Sequence, residues 1–262
     1  MATLMGADSI TVEDVTVDEA MGLVNLQNMP GVDNLDFSIA GSESLTDLSV
    51  MKATAVVEAT NVVAADISVK DSAGTIVSAT PGTGSIDLAA VQQVTVTASD
   101  VADENLTTYP TLVGIADAIE LNGSVTLNVD QAGLTLTGTG SYDVRDSSMN
   151  LEYAVTDSSA GVLDGATTVY TTDNAPTLTI AEYKQIVDGD TTLGFDGGGY
   201  SYHITDVAEN IEAEISLNEF GGVSIGVLID AGYVISTDRA ITLTMRSADE
   251  LLGYTNFSGG YE

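Results

Sequence analysis

One pentapeptide of this 262-residue chain, Gly222-Val223-Ser224-Ile225-Gly226, has the form of a serine-hydrolase nucleophile elbow. That chemistry needs the serine on a strained turn between a strand and a helix, with a histidine later in the chain to take its proton. Here the only histidine, His203, precedes the serine, and the VLIDAGYVI that follows reads as strand. The pentapeptide is therefore read as a glycine-flanked strand or bulge, and the chain as non-catalytic.

Metal chemistry has one candidate. In VDGDTTLGFDGGG, Asp188, Asp190 and Asp196 place three hard oxygen donors on a glycine-rich loop, the donor type that calcium takes. The spacing departs from the strict calcium-loop motif, and solvated turn aspartates are the competing reading. Calcium is the one cofactor expected. One histidine and no cysteine cannot supply the usual zinc ligands within a single chain. In YSYHITD the strand alternation puts Tyr200, Tyr202 and Ile204 on one face and Ser201, His203 and Thr205 on the other, which makes His203 a surface residue. Carboxylate pairs fit for glycoside hydrolysis are too abundant to discriminate. No Gly-Lys step follows a glycine-rich stretch, which excludes the phosphate-binding loop of nucleotide hydrolases.

Thirty-nine acidic residues against six basic ones give a net charge of −33. Such a chain repels nucleic acid and anionic membranes at contact range. The acid is spread along a sequence that is 44% hydrophobic, so it reads as the solvated surface of a folded protein with a real core. Copies can pack side by side only if cations screen them. The first residues lack a basic stretch followed by an apolar one, and no apolar run reaches membrane-spanning length. The expectation is therefore no membrane insertion and no recognisable cleaved signal peptide. Two readings stay open, an intracellular protein of a high-salt organism and a protein exported on an uncleaved C-terminal signal; usage rich in Thr, Ser, Gly, Asp, Val and Ala favours the second, and with it an extracellular or cell-surface location.

The elements that must position these residues recur as two phrases. In the first, an alternating strand ends on an acid or small polar residue and enters a short helix: ISVKDSAGTIV (67–77), VTVTASDVADENL (94–106), YAVTDSSAGVL (153–163) and YSYHITDVAENIEAEI (200–215). In the second, a short amphipathic turn follows an aliphatic alternation, as in VTVDEAMGLV (15–24) and LTIAEYKQIV (178–187). Thr16 with Glu19, Thr179 with Glu182, and Asp206 with Glu209 have capping-box spacing. After Asp206, Val207, Ala208, Ile211 and Ile215 share a helical face. Helices this short need a sheet to pack on. The expected fold is mainly β, either solenoid-like or a β-sandwich array, with short interspersed helices. Its weak internal division falls near TDNAP, giving repeat regions 1–172 and 173–262.

YSYHITDVAENIEAEI and LTIAEYKQIV resemble the repeat regions of very large bacterial surface and type I secreted proteins, the RTX-adhesin and S-layer-like group. The glycine- and aspartate-rich calcium nonapeptide of that group is missing. The resemblance implies a non-catalytic extracellular role: a self-assembling subunit of a filament, sheath or surface layer, whose partner is itself. The alternative is a calcium-dependent adhesin or carbohydrate-binding module that takes a cell-surface glycan.

Overall fold

Alternation of the kind in QVTVTA buries every second side chain. Val94, Val96 and Ala98 are at most 1% exposed, while Thr95 and Thr97 face outward. The computed structural model describes residues 9–29, 32, 35–79, 85–98, 104–156, 160–163, 165–187, 192–195, 202–219, 226–229 and 231–242. Its elements in chain order begin with β1 (Ile10–Val15), α1 (Val17–Gln27), β2 (Leu35–Ile39), α2 (Val50–Val56), β3 (Ser68–Asp71) and α3 (Ala73–Ser78). There follow β4 (Gln93–Ala98), β5 (Glu104–Asn105), β6 (Ala118–Leu121), β7 (Ser124–Leu127), α4 (Val129–Ala132), β8 (Thr135–Gly138), β9 (Ser141–Asp146) and α5 (Ser148–Thr156). The chain continues with β10 (Thr168–Thr171), β11 (Thr177–Leu178), α6 (Ile180–Ile186), β12 (Thr192–Phe195), β13 (His203–Asp206), α7 (Ala208–Glu219), α8 (Gly226–Ile229) and β14 (Val234–Ser236).

Two compact units result: residues 1–123 with 134–140, and residues 124–133 with 141–262. In the first, β1 pairs with β2 and a four-stranded sheet runs β3-β4-β6-β8. In the second, β7, β9, β10 and β12 lie side by side, and β11, β13 and β14 form a further sheet. All these pairings are parallel. Parallel pairing forbids a tight hairpin and forces a crossover, and helices or helical turns supply it. The first core centres on Phe37, Ile67, Ile76, Leu106, Leu112 and Ile119, and the second on Leu127, Leu151, Leu163, Leu178, Ile186 and Ile204, all below 2% exposure. Each such side chain contributes about 1.5–3 kcal/mol of burial free energy.

The mainly β expectation is overturned, with both its solenoid and its sandwich forms. Among the described residues the fold is mixed α/β, with parallel sheets and neither a solenoid nor a closed barrel. Two segments account for much of the error. Tyr153-Ala154-Val155-Thr156, read as a strand, ends helix α5. Val227-Leu228-Ile229, read as strand after Ser224, is the helix α8. The first phrase is correct at β3–α3 and at β13–α7, where Ala208, Ile211 and Ile215 are buried and only Val207 turns outward at 38%.

Candidate functional site

The proposed calcium donors Asp188, Asp190 and Asp196, and the elbow serine Ser224, lie outside the described residues. Among the described residues no group of three or more His, Cys, Asp or Glu side chains is placed to hold a metal ion. The acid has another occupation. The capping boxes predicted at Thr16/Glu19 and Thr179/Glu182 both form, each threonine accepting from the backbone N–H of its glutamate and each glutamate accepting from the threonine N–H. Glu209 makes no such box with Asp206. Instead Asp206 closes strand β13 at 6% exposure and accepts from the backbone N–H of Ile180, the first residue of α6, at 3.0 Å. Its other oxygen accepts from the Val207 N–H and from the Asn210 side-chain amide, both at 2.8 Å.

The same device recurs along the chain. Asp71 accepts from the Val50 N–H at the start of α2 (3.0 Å), and Asp146 from the Val129 N–H at the start of α4 (3.0 Å). Asp173 serves Ser148 at the start of α5 (2.8 Å), and Asp238 serves Ala208 at the start of α7 (2.8 Å). Register explains the recurrence. Leu178 pairs with Ile204, so two residues on Ile180 stands opposite Asp206. Leu127 pairs with Val144, which sets Val129 opposite Asp146 in the same way. Each of these five helices, α2, α4, α5, α6 and α7, therefore has its first free N–H capped by a carboxylate 17 to 30 positions later in the chain, at the end of the strand that lies alongside or two residues beyond it. These amides hold the Asp173 carboxyl below the ordinary aspartate range, Ser148 contributing most, and Ala208 does the same for Asp238.

Four of the six cations are engaged as well. Lys52 pairs with Asp18 and Lys70 with Glu120; Lys184 reaches the buried Glu214; Arg239 grips both oxygens of Glu212. The Arg239 fork and the Thr242 N–H bring Glu212 down to about 2.

Two further features could meet a ligand. His203 is half-buried, not fully at the surface, and stacks on Tyr233 with ring centroids 3.8 Å apart and planes 10° from parallel. Burial lowers its pKa, and its Nδ1 has no hydrogen-bond partner. In the first unit, α1, α2 and α3 leave an open groove of about 620 Å³. Met21, Val24, Met51, Ala55 and Ala79 give it an apolar part, polar side chains such as Asn25 and Thr54 line the rest, and among the described residues no acidic side chain lines it. Neither feature was foreseen from sequence. A signal for the groove existed in the small residues of α2 and α3, but only the packing of three helices makes it concave.

No protein-family model matches the chain, no curated protein is similar to it, and no solved structure matches its fold.

Proposed function

We propose that the chain is a non-catalytic structural subunit that assembles with copies of itself, outside the cell, into a filament, sheath or surface layer. The observation that carries this reading is the succession of strand-end aspartates. Five of them, Asp71, Asp146, Asp173, Asp206 and Asp238, are spent on holding one strand–helix segment to the next. A chain that sets five carboxylates to joining its successive segments suits a role in which shape, not chemistry, is the product. The charge of −33 then makes assembly conditional on cations, since unscreened copies repel.

Negative-stain electron microscopy of the purified protein, at high salt or with calcium and then with chelator at low salt, tests the reading. Ordered filaments or sheets that disperse in chelator are expected. Uniform small particles under every condition would overturn it. The second reading, a glycan-binding adhesin module, has the His203–Tyr233 stack in its favour, because sugar rings pack on aromatic faces. Small particles that bind a glycan array, and lose binding in Tyr233→Ala, would favour that module.

A further inference from the structure

Register in the sheet β11-β13-β14 puts three side chains in one row. Thr177 pairs with His203, and Ile204 with Val234, so Tyr233 stands beside His203 on the side away from Thr177. The Tyr233 hydroxyl nevertheless meets the Thr177 hydroxyl at 3.3 Å, across the intervening strand. Its ring reaches there by lying flat over the imidazole, with centroids 3.8 Å apart. Tyr233 is thus a strap over β13, tied at Thr177, and the ring beneath it has a buried Nδ1 without a hydrogen-bond partner.

A neutral imidazole tolerates that place. Its one proton can sit on Nε2, which leaves Nδ1 a bare lone pair. A second proton has only Nδ1 to go to, and there it would make a buried cationic N–H with nothing to accept it. The attraction of an imidazolium for the tyrosine face offsets part of that cost but supplies no acceptor. The charged groups on the surrounding elements are turned elsewhere. Glu152 accepts from the Thr177 N–H at 2.7 Å, on the edge of β11 away from β13. Asp206 and Asp238 serve the starts of α6 and α7. Helix α6 meets β13 on the opposite face, where Tyr183 packs on Tyr202; its Glu182 is held by Thr179 and its Lys184 by Glu214. Burial is what holds the His203 pKa down, and among the described residues no charge on a neighbouring element acts on it.

We infer that Tyr233 and His203 form an acid-released strap: a proton on His203 Nδ1 lifts the Tyr233 ring, breaks its tie to Thr177 and loosens β14 from β13. The device goes beyond the self-assembly reading and does not depend on it. The closed form binds fewer protons than the open one, so its stability is complete above the ordinary histidine value of 6.5 and is lost as pH falls below it. Below that value the open population grows by up to about tenfold per pH unit. The bonds that report opening flank the strap: the Ile204 N–H donates to the Tyr233 carbonyl at 2.9 Å, and the Gly232 N–H to the Tyr202 carbonyl at 2.8 Å.

NMR of the full-length chain tests this, because it has one histidine to follow. The imidazole should titrate below 6.5. Hydrogen-exchange protection at Ile204 and Gly232, corrected for intrinsic rates, should fall by up to about tenfold per pH unit from about pH 6.5 to 5.5. His203→Phe keeps a ring to stack and removes the titration; its protection at these amides should stay level, which subtracts every other effect of pH. Tyr233→Phe and Thr177→Val untie the strap from its two ends, and each should lower protection at pH 7 and move the imidazole midpoint up toward 6.5. A wild-type midpoint at or above 6.5 overturns the inference. So does protection that stays level in wild type, or that falls as steeply in His203→Phe.

Discussion

Asp206 shows how much one carboxylate can do and how its local sequence misleads. Beside Glu209 it reads as the cap of the helix that follows, yet its backbone acceptor role extends to Ile180 in α6, 26 residues earlier. The Ala208 N–H that a local cap would serve is taken by Asp238. Replacing Asp206 with alanine leaves the buried Ile180 N–H without its acceptor and frees Asn210, a loss of about 2–4 kcal/mol for hydrogen bonds to a charged group. Hydrogen exchange decides between the two descriptions. The cross-strand cap predicts faster exchange at the start of α6 in Asp206→Ala, whereas a purely local cap would confine the change to α7. Asp206→Asn should fall between wild type and alanine, because the amide keeps one acceptor but turns a donor toward N–H groups. His203 was correctly placed opposite Ile204, the alternation deciding its face. Its stacking on Tyr233, 30 positions away, had no local signal.

At the scale of elements, the backbone comes close enough to itself at one point to dictate glycine. After β8 the chain turns back over the end of β6, and the Gly140 N–H donates to the Leu121 carbonyl at 2.9 Å. Gly138 has φ +91°, and a Cβ there would lie 2.3 Å from the Leu121 carbonyl oxygen; a Cβ on Gly140 would lie 2.3 Å from that of Gly123. Gly138→Ala and Gly140→Ala should each cost about 2–4 kcal/mol, from steric overlap and, at Gly138, the disfavoured φ. Gly22→Ala is the control: it sits within α1 with nothing near its missing Cβ and should stabilise by about 0.5–1 kcal/mol. Thermal melts of the three variants give the comparison. The same scale explains what the sequence revealed. Helices whose caps are local, α1 with Thr16 and Glu19 and α6 with Thr179 and Glu182, could be placed from spacing alone. Helix α5 could not, although Ser147 Oγ accepts locally from the Asn150 N–H, because Tyr153-Ala154-Val155-Thr156 fits strand alternation as well as helix and the second cap, Asp173, lies 25 residues on from Ser148. Undercounting such helices turned a parallel α/β fold into an expected β one. The candidate site was less legible still: the groove is made by three helices, and no spacing within any one of them reports it.

For the whole molecule, acid does two opposed things, and pH separates them. The excess of carboxylates disfavours the compact state by self-repulsion at neutral pH, and that penalty shrinks as protonation brings the charge toward zero near the sequence pI of about 4.1. Capping and paired carboxylates act the other way. Asp173, Asp238 and Glu212 have folded-state pKa values below their ordinary 3.8, 3.8 and 4.5, the last at about 2. Over that window the unfolded chain binds more protons than the folded one. The stability these groups supply is therefore complete above the ordinary values and is lost as pH falls toward the folded ones. The melting temperature should rise as pH drops from 7 to about 5, pass through a maximum, and fall between about 4.5 and 2. Salt identifies the first limb. At pH 7, going from about 0.01 M to 1 M NaCl shortens the screening length from about 30 Å to about 3 Å and should raise the melting temperature, while near the pI the same addition should change it little. A melting temperature at pH 7 that ignores salt would mean that repulsion among the excess carboxylates has no weight in folding, and would remove the reason for making assembly depend on cations. A falling acid limb that survives Glu212→Gln, but weakens in Asp173→Asn and Asp238→Asn, would assign the acid transition to the strand-end caps and not to the Arg239 pair.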